Sequence, residues 1–158
     1  MAIRFSSQSE RYREFSNFSA FPVDFDGLHW PTTEHYYQAQ KFTDPDLKTM
    51  IRNAPQPLAA KTLADQYRDR MRPDWQAVKD EVMYRAVRRK FELHAPLRAL
   101  LLSTGDEDIM EAAAHDNYWG SGPDGAGQNR LGRIMERIRA ELRAAAAAVR
   151  DNTHKTGR

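Results

Sequence analysis

The side chains best suited to chemistry gather in residues 32–42, T-T-E-H-Y-Y-Q-A-Q-K-F, held between Trp30-Pro31 and Asp44-Pro45. Pro31 suits a helix start, Thr32 and Thr33 offer oxygens to the orphan amides of a first turn, and Asp44-Pro45 closes the segment, so the spacing predicts one short helix. On it Glu34, Gln38 and Lys41 share a stripe, with Tyr37 at its edge. A carboxylate can move protons, an amine can capture an electrophilic carbon, and aromatic rings beside them give a flat substrate a surface. A plainer reading stands beside this one. An acid in the first turn and a lysine in the last complement the helix macrodipole, and periodicity alone favours that structural role.

A second set lies in residues 115–132, H-D-N-Y-W-G-S-G-P-D-G-A-G-Q-N-R-L-G. Four glycines and a proline between positions 120 and 127 require unusual backbone, and the loop feeds a helix with Leu131, Ile134, Met135, Ile138 and Leu142 on one face. Free amides at such a helix start, with Gly120, Asn129 and Arg130, could hold a phosphate. The match to phosphate-binding fingerprints is poor, since neither G-x-G-x-x-G nor G-K-[ST] is present. Asp116 by itself reads as turn chemistry. Trp75 and Trp119 could stack a heterocycle, although an indole alone is more often core. Lys79, one turn beyond Trp75, sits near an apolar stripe, where a snorkelling amine is common. His35 projects about 100° away from Glu34 and reads as a packing or hydrogen-bonding residue; His115 is weaker still. No histidines or acids pair at metal-ligand spacing, so no metal is expected.

The elements that must position these residues are mostly helical. Val23-Asp-Phe25-Asp-Gly-Leu28-His-Trp30 alternates about an Asp-Gly turn and predicts a β-hairpin that delivers Trp30 into the central helix. Proline in a first-turn position opens helices at 45–52 and 57–68, and Trp75, Val78, Val82, Met83, Ala86, Val87 and Phe91 recur with helical period over 74–91. A Leu97/Leu100/Leu101 helix follows over 96–103. Residues 3–5 suit one short strand, 109–114 are strand or helix, and Phe15, Phe18 and Phe21 suit a loop whose rings plug a core. The expectation is an α+β, mainly α fold: a multihelical single domain of about seven helices over 1–149 with a small amino-terminal hairpin, then a frayed tail at 150–158.

Composition narrows the classes further. The 158 residues are enough for a real core without staples, and with no cysteine there is no thiol nucleophile, Cys-based zinc site or disulfide framework. Eighteen of the 24 basic residues are arginine, yet the net charge is only +2, which argues against a nucleic-acid coat. No apolar run approaches a membrane span and no secretory pattern opens the chain, so a soluble cytoplasmic protein is expected.

Three blocks, N-F-S-A-F-P with W-P-T-T-E-H-Y-Y-Q-A-Q-K-F, then W-Q-A-V-K-D-E-V-M-Y-R-A-V-R-R-K-F, then D-N-Y-W-G-S-G with G-Q-N-R-L-G, together resemble the NADAR or YbiA-like N-glycosidases. The resemblance spans residues 15–143 in order. It implies hydrolysis, without cofactor, of the C–N bond between ribose phosphate and a base in riboflavin-pathway intermediates, the ribosylaminopyrimidine phosphates. Other members implied by the same likeness remove ADP-ribose from guanine in DNA or nucleotides, and a silent ADP-ribose or nucleotide-binding module is a further alternative. Carried over by motif position, the family's acid falls on Glu34, its lysine on Lys41, its tryptophan on Trp75 and its second acid on Asp116. Tyr37, Gln38, Lys79, Trp119, Gly120, Asn129 and Arg130 are then the expected substrate contacts, for a phosphorylated N-riboside or an ADP-ribosylated guanine. Breaking a C1'–N bond puts positive charge on the sugar and negative charge on the base, which calls for a carboxylate near C1' and a proton donor near the base. Burial beside an indole would hold one of the two acids protonated.

Overall fold

The computed structural model describes residues 2–156. Contacts gather the chain into two compact units: Ser6–Ala95, and the amino-terminal strand together with the chain from Pro96 onward.

The first unit opens on a single 3-10 turn at Arg13–Phe15, whose Phe15 is buried edge-on to Phe91 at 5.8 Å. Strands β1 (Val23–Phe25) and β2 (Leu28–Trp30) pair antiparallel with Val23 opposite Trp30. Asp26 and Gly27 between them both have positive φ, 53° and 79°, the backbone that a two-residue hairpin turn demands. Helix α1 (Thr33–Ala39) follows at once. Its N-cap, Thr32, accepts the His35 amide on Oγ1 at 3.1 Å. Helices α2 (Pro45–Arg52) and α3 (Pro57–Gln66) both begin on proline, and a 3-10 turn at Arg68–Arg70 leads to α4 (Trp75–Leu93). Helix α1 packs against α2, α3 and α4, and all seven of its residues are buried. A buried helix carrying Glu, His and Gln must satisfy those groups internally or present them to a ligand.

Lys90 was not anticipated. It is 1% exposed, on the inner face of α4, and its Nζ donates to the carbonyls of Glu14 and Ser16 and to Ser19 Oγ at 2.6, 2.9 and 3.0 Å. It thereby ties the phenylalanine-rich loop to the longest helix of this unit.

In the second unit, β3 (Ile3–Phe5) runs parallel to β4 (Ile109–Glu111), with Ile3 opposite Ile109. Of the strand and helix alternatives for 109–114 the strand is therefore the correct one, over 109–111. Helix α5 (Ala95–Ser103) leads into this unit, and α6 (Arg130–Thr156) buries Leu131, Met135, Ile138 and Leu142. Asn129 takes the place of a neighbouring strand along β4: its Oδ1 accepts the Glu111 amide at 3.0 Å and its Nδ2 donates to the Ile109 carbonyl at 2.8 Å. Gly132 lies so close behind that a Cβ there would stand 2.0 Å from the Ile109 oxygen.

The α+β, mainly α reading with its amino-terminal hairpin holds, with six α-helices among the described residues rather than about seven. Boundaries differ most at two places. Helix α1 stops at Ala39, and α6 continues through the expected tail to Thr156, with 157–158 outside the described residues. Among those residues no helix is long and apolar enough to cross a membrane.

Candidate active site

The first unit brings Glu34, Tyr37, Gln38, Lys41 and Trp75 together. Gln38 lies one helical turn beyond Glu34 and donates its Nε2 hydrogen to Glu34 Oε1 at 2.7 Å. Glu34 is 7% and Gln38 4% exposed. A carboxylate accepts and does not donate when ionised, so this bond fixes which end of the amide faces it. Gln38 Oε1 is then left buried with no partner among the described residues, an acceptor awaiting a donor.

Tyr37 and Trp75 stand 5.2 Å apart between ring centroids, tilted by 59°, and the Lys41 ammonium lies 5.6 Å above the Tyr37 ring. Lys41 is not on the helix as expected. It follows the C-cap Gln40, held by its amide to the Gln38 carbonyl at 3.3 Å and by its carbonyl, which accepts the Arg72 amide at 2.7 Å. Release from the helix leaves it near the acid all the same, because the Glu34 charge is felt at its amine. Burial pulls the Lys41 ammonium below the ordinary lysine value, Glu34 and Asp65 oppose that shift, and Lys61 and Arg68 add to it. An amine so placed is free base more often than a surface lysine.

Two neighbours set the geometry of α1. His35 has the packing role expected of it: Nε2 donates to the Ala54 carbonyl at 3.0 Å, so Nδ1 is the acceptor for the Thr32 hydroxyl at 2.8 Å. Burial lowers its pKa, which agrees with that neutral tautomer. Asn17 was missed. It is buried, its Oδ1 accepts the Thr33 hydroxyl at 2.7 Å, its carbonyl accepts the Glu34 amide at 3.3 Å, and its Nδ2 reaches Met83 Sδ at 3.3 Å. The one available signal was an amide side chain between two aromatic residues of the first matching block. Lys79 sits on α4 with its ammonium on Gln76 Oε1 at 2.7 Å.

Asp116, Trp119, Gly120, Asn129 and Arg130 belong to the second unit. Asp116 Oδ1 accepts the amides of Tyr118 and Trp119 at 2.9 and 2.8 Å, so this carboxylate shapes the turn. The loop then closes on itself: the Gly127 amide donates to the Ser121 carbonyl at 2.7 Å, and a Cβ on Gly127 would meet the Gly120 oxygen at 2.7 Å. The amides expected to be free for a phosphate are occupied. Those of Asn129, Arg130 and Leu131 donate to the carbonyls of Gly120, Tyr118 and Trp119 at 3.0 to 3.1 Å. The Arg130 guanidinium at the end of this loop lies 4.7 Å above the Tyr118 ring with Nε on Gln128 Oε1.

The comparisons with known proteins agree with one another. The chain is 45% identical to "N-glycosidase YbiA" of Escherichia coli (strain K12) over 140 residues, 89% of this chain and 88% of that one. It is 40% identical over 140 residues to "Riboflavin biosynthesis protein VVA0006" of Vibrio vulnificus (strain YJ016), covering 89% of this chain and 38% of that longer protein. An NMR structure of the E. coli protein YbiA matches with a TM-score of 0.86 at 43% identity, over 93% of this chain and 88% of that one. A sequence model of the NADAR domain matches residues 4–143, most of both units, and the chain therefore belongs to the NADAR domain family.

Proposed function

We propose that this protein is an N-glycosidase that hydrolyses the C1'–N bond between a phosphorylated ribose and the base of riboflavin-pathway intermediates, the ribosylaminopyrimidine phosphates. The observation that carries the reading is the buried Glu34 carboxylate, hydrogen-bonded to Gln38 and near the Lys41 amine. The relatives named for N-glycosidase activity and for riboflavin biosynthesis support the substrate class. As C1' gains positive charge, Glu34 stabilises it, takes a proton from the attacking water and returns it to the departing base nitrogen, so that water's OH ends on C1' and its hydrogen on the base. Tyr37 and Trp75 give the heterocycle flat surfaces, and Gln38 Oε1 accepts a hydrogen from the substrate. The test is turnover of a ribosylaminouracil phosphate by purified protein, read as free ribose 5-phosphate, beside ADP-ribosylated guanine. Release of ADP-ribose alone would move the activity to the guanine reading, and tight binding with no release would leave a nucleotide-binding module.

Lys41 distinguishes two routes through the same site. In one, water attacks C1' directly. In the other, the ribose ring opens, the free amine of Lys41 forms a carbon–nitrogen bond at C1' as the base leaves, and water then hydrolyses the resulting Schiff base. The lowered pKa of Lys41 favours the second route. Borohydride added during turnover is expected to trap a covalent adduct, seen as a mass increase on the peptide bearing Lys41, and Lys41→Ala is expected to lose about 10²-fold in kcat. Near-normal turnover of Lys41→Ala with no adduct in wild type would leave direct attack by water.

A further inference from the structure

A cavity of about 220 Å³ lies along α1, between the β1–β2 hairpin and α2. Glu34, Gln38 and Lys41 follow one stripe of the chain; Tyr36 and Gln40 fall roughly 120–160° around the helix from Glu34 and line this cavity with Phe25, Trp30, Lys48 and Arg52. Its walls are aromatic. Phe25 and Tyr36 stack at 4.0 Å with 17° between planes, and Trp30 meets Tyr36 edge-on at 5.4 Å. The Trp30 indole N–H is buried and has no acceptor among the described residues.

The charges at this cavity also lack a counterpart. Lys48 and Arg52 are four residues apart on α2, a spacing at which like charges repel across one helix face. Neither forms an ion pair among the described residues. Lys48 Nζ reaches only Gln40 Oε1 at 3.4 Å, and the Arg52 guanidinium lies 5.9 Å above the Trp30 ring. Burial, with the charge of Arg72, pulls the Lys48 ammonium below its ordinary value, as expected of a cation short of anions. Asp26, the one acid lining the cavity, is exposed on the hairpin turn. Among the described residues two cations without a paired anion, a buried donor without an acceptor and a wall of stacked rings call for the same kind of molecule.

We infer that this cavity binds a small phosphate monoester carrying a single flat ring, its phosphate on Lys48 and Arg52, its ring against Tyr36 and Trp30, and one of its oxygens accepting the Trp30 indole hydrogen. The volume equals that of about seven water molecules, enough for a phosphate and one ring and too little for a dinucleotide. The site shares no side chain with the Glu34 cluster, so it stands whether or not the hydrolytic reading does.

The test is an NMR titration of the full-length ¹⁵N-labelled protein with phenyl phosphate to about 10 mM, following the three indole N–H signals, with that of Trp30 assigned through Trp30→Phe. The Trp30 signal is expected to move while those of Trp75 and Trp119 stay. Phenol and inorganic phosphate, each carrying half of the ligand, are expected to bind at least about tenfold more weakly. The double substitution Lys48→Gln/Arg52→Gln should weaken phenyl phosphate by about tenfold or more, with the Trp75 and Trp119 signals and the melting temperature unchanged. An unmoved Trp30 signal, phenol binding as well as phenyl phosphate, or full affinity in the double variant would each overturn the assignment.

Discussion

Glu34→Gln is expected to lower kcat by about 10³-fold, within the range for loss of a positioned proton-transfer group, and to shift the melting temperature by no more than about 2–4 °C, the equivalent of about 1 kcal/mol. The two effects separate because the substitution removes charge and basicity but hardly changes shape. The new amide keeps an oxygen where Gln38 Nε2 donates at 2.7 Å, and the backbone bond from residue 34 to the Asn17 carbonyl is untouched. What disappears is the carboxylate of the Glu34–Gln38–Lys41 stripe, the group that takes a proton from the attacking water. Lys41 registers the same loss by another route. Glu34 is the foremost charge opposing the burial that depresses the Lys41 amine, so its removal should push that amine lower still. In a pH–rate profile the ascending limb, where Lys41 loses its proton and becomes the nucleophile of the Schiff-base route, therefore moves to lower pH in Glu34→Gln relative to wild type. Binding should survive: substrate affinity within about tenfold of wild type places the loss in the chemical step. Turnover within tenfold of wild type would remove Glu34 from the reaction.

The parts of this architecture that local chemistry dictates were legible in the sequence. Asp26-Gly27 supplies two left-handed residues in succession, and the hairpin has the register that turn enforces. Pro45 and Asp44 start α2 where expected because a proline without a donor and a capping carboxylate are properties of one or two residues. The end of α1 was not legible, because no glycine marks it; the chain leaves the helix so that the Lys41 carbonyl can meet Arg72, thirty-one positions on. Nor could any window reveal that Ile3 pairs with Ile109, since three-residue strands carry no period and parallel partners lie far apart in sequence. The carboxylate–amide pair in the site was visible from its spacing of four, whereas the amides of the glycine loop were misjudged. Which carbonyls reach the start of α6 depends on how residues 118–120 fold back, and glycine composition alone does not say. Lys90 is a different case. Met83, Ala86, Val87 and Phe91 already defined the inner face of α4, and position 90 falls on it. The pattern placed a lysine in the core, but the eye treats lysine as surface.

That lysine supports a large stability effect outside the site. Lys90→Met keeps most of the side chain's volume and removes its nitrogen; the Ser16 carbonyl keeps the Ser19 amide at 3.1 Å, but it and the Glu14 carbonyl are left to share the single hydroxyl hydrogen of Ser19, 2.6 and 2.9 Å away. One hydrogen cannot serve two acceptors fully, and a buried carbonyl without a partner costs about 1–3 kcal/mol. Loss of the ammonium above Phe21, at 5.6 Å, adds to this. The expected destabilisation is about 3 kcal/mol, or roughly 6–12 °C in melting temperature for a chain of this length. The pH dependence then identifies the species. Burial takes Lys90 from 10.5 to about 7, opposed by Glu14. Below about pH 7 both folded and unfolded chains carry the proton and stability is flat; between about 7 and 10.5 only the unfolded chain does, so stability rises with pH. The contacts suit both states, since an ammonium donates to all three oxygens, while a free amine donates to the two carbonyls and accepts the Ser19 hydroxyl. Wild type should therefore gain on Lys90→Met between pH 6.5 and pH 9 in paired thermal melts. An equal gap at both values would mean that Lys90 keeps its proton throughout, held by its three acceptors against the pull of burial.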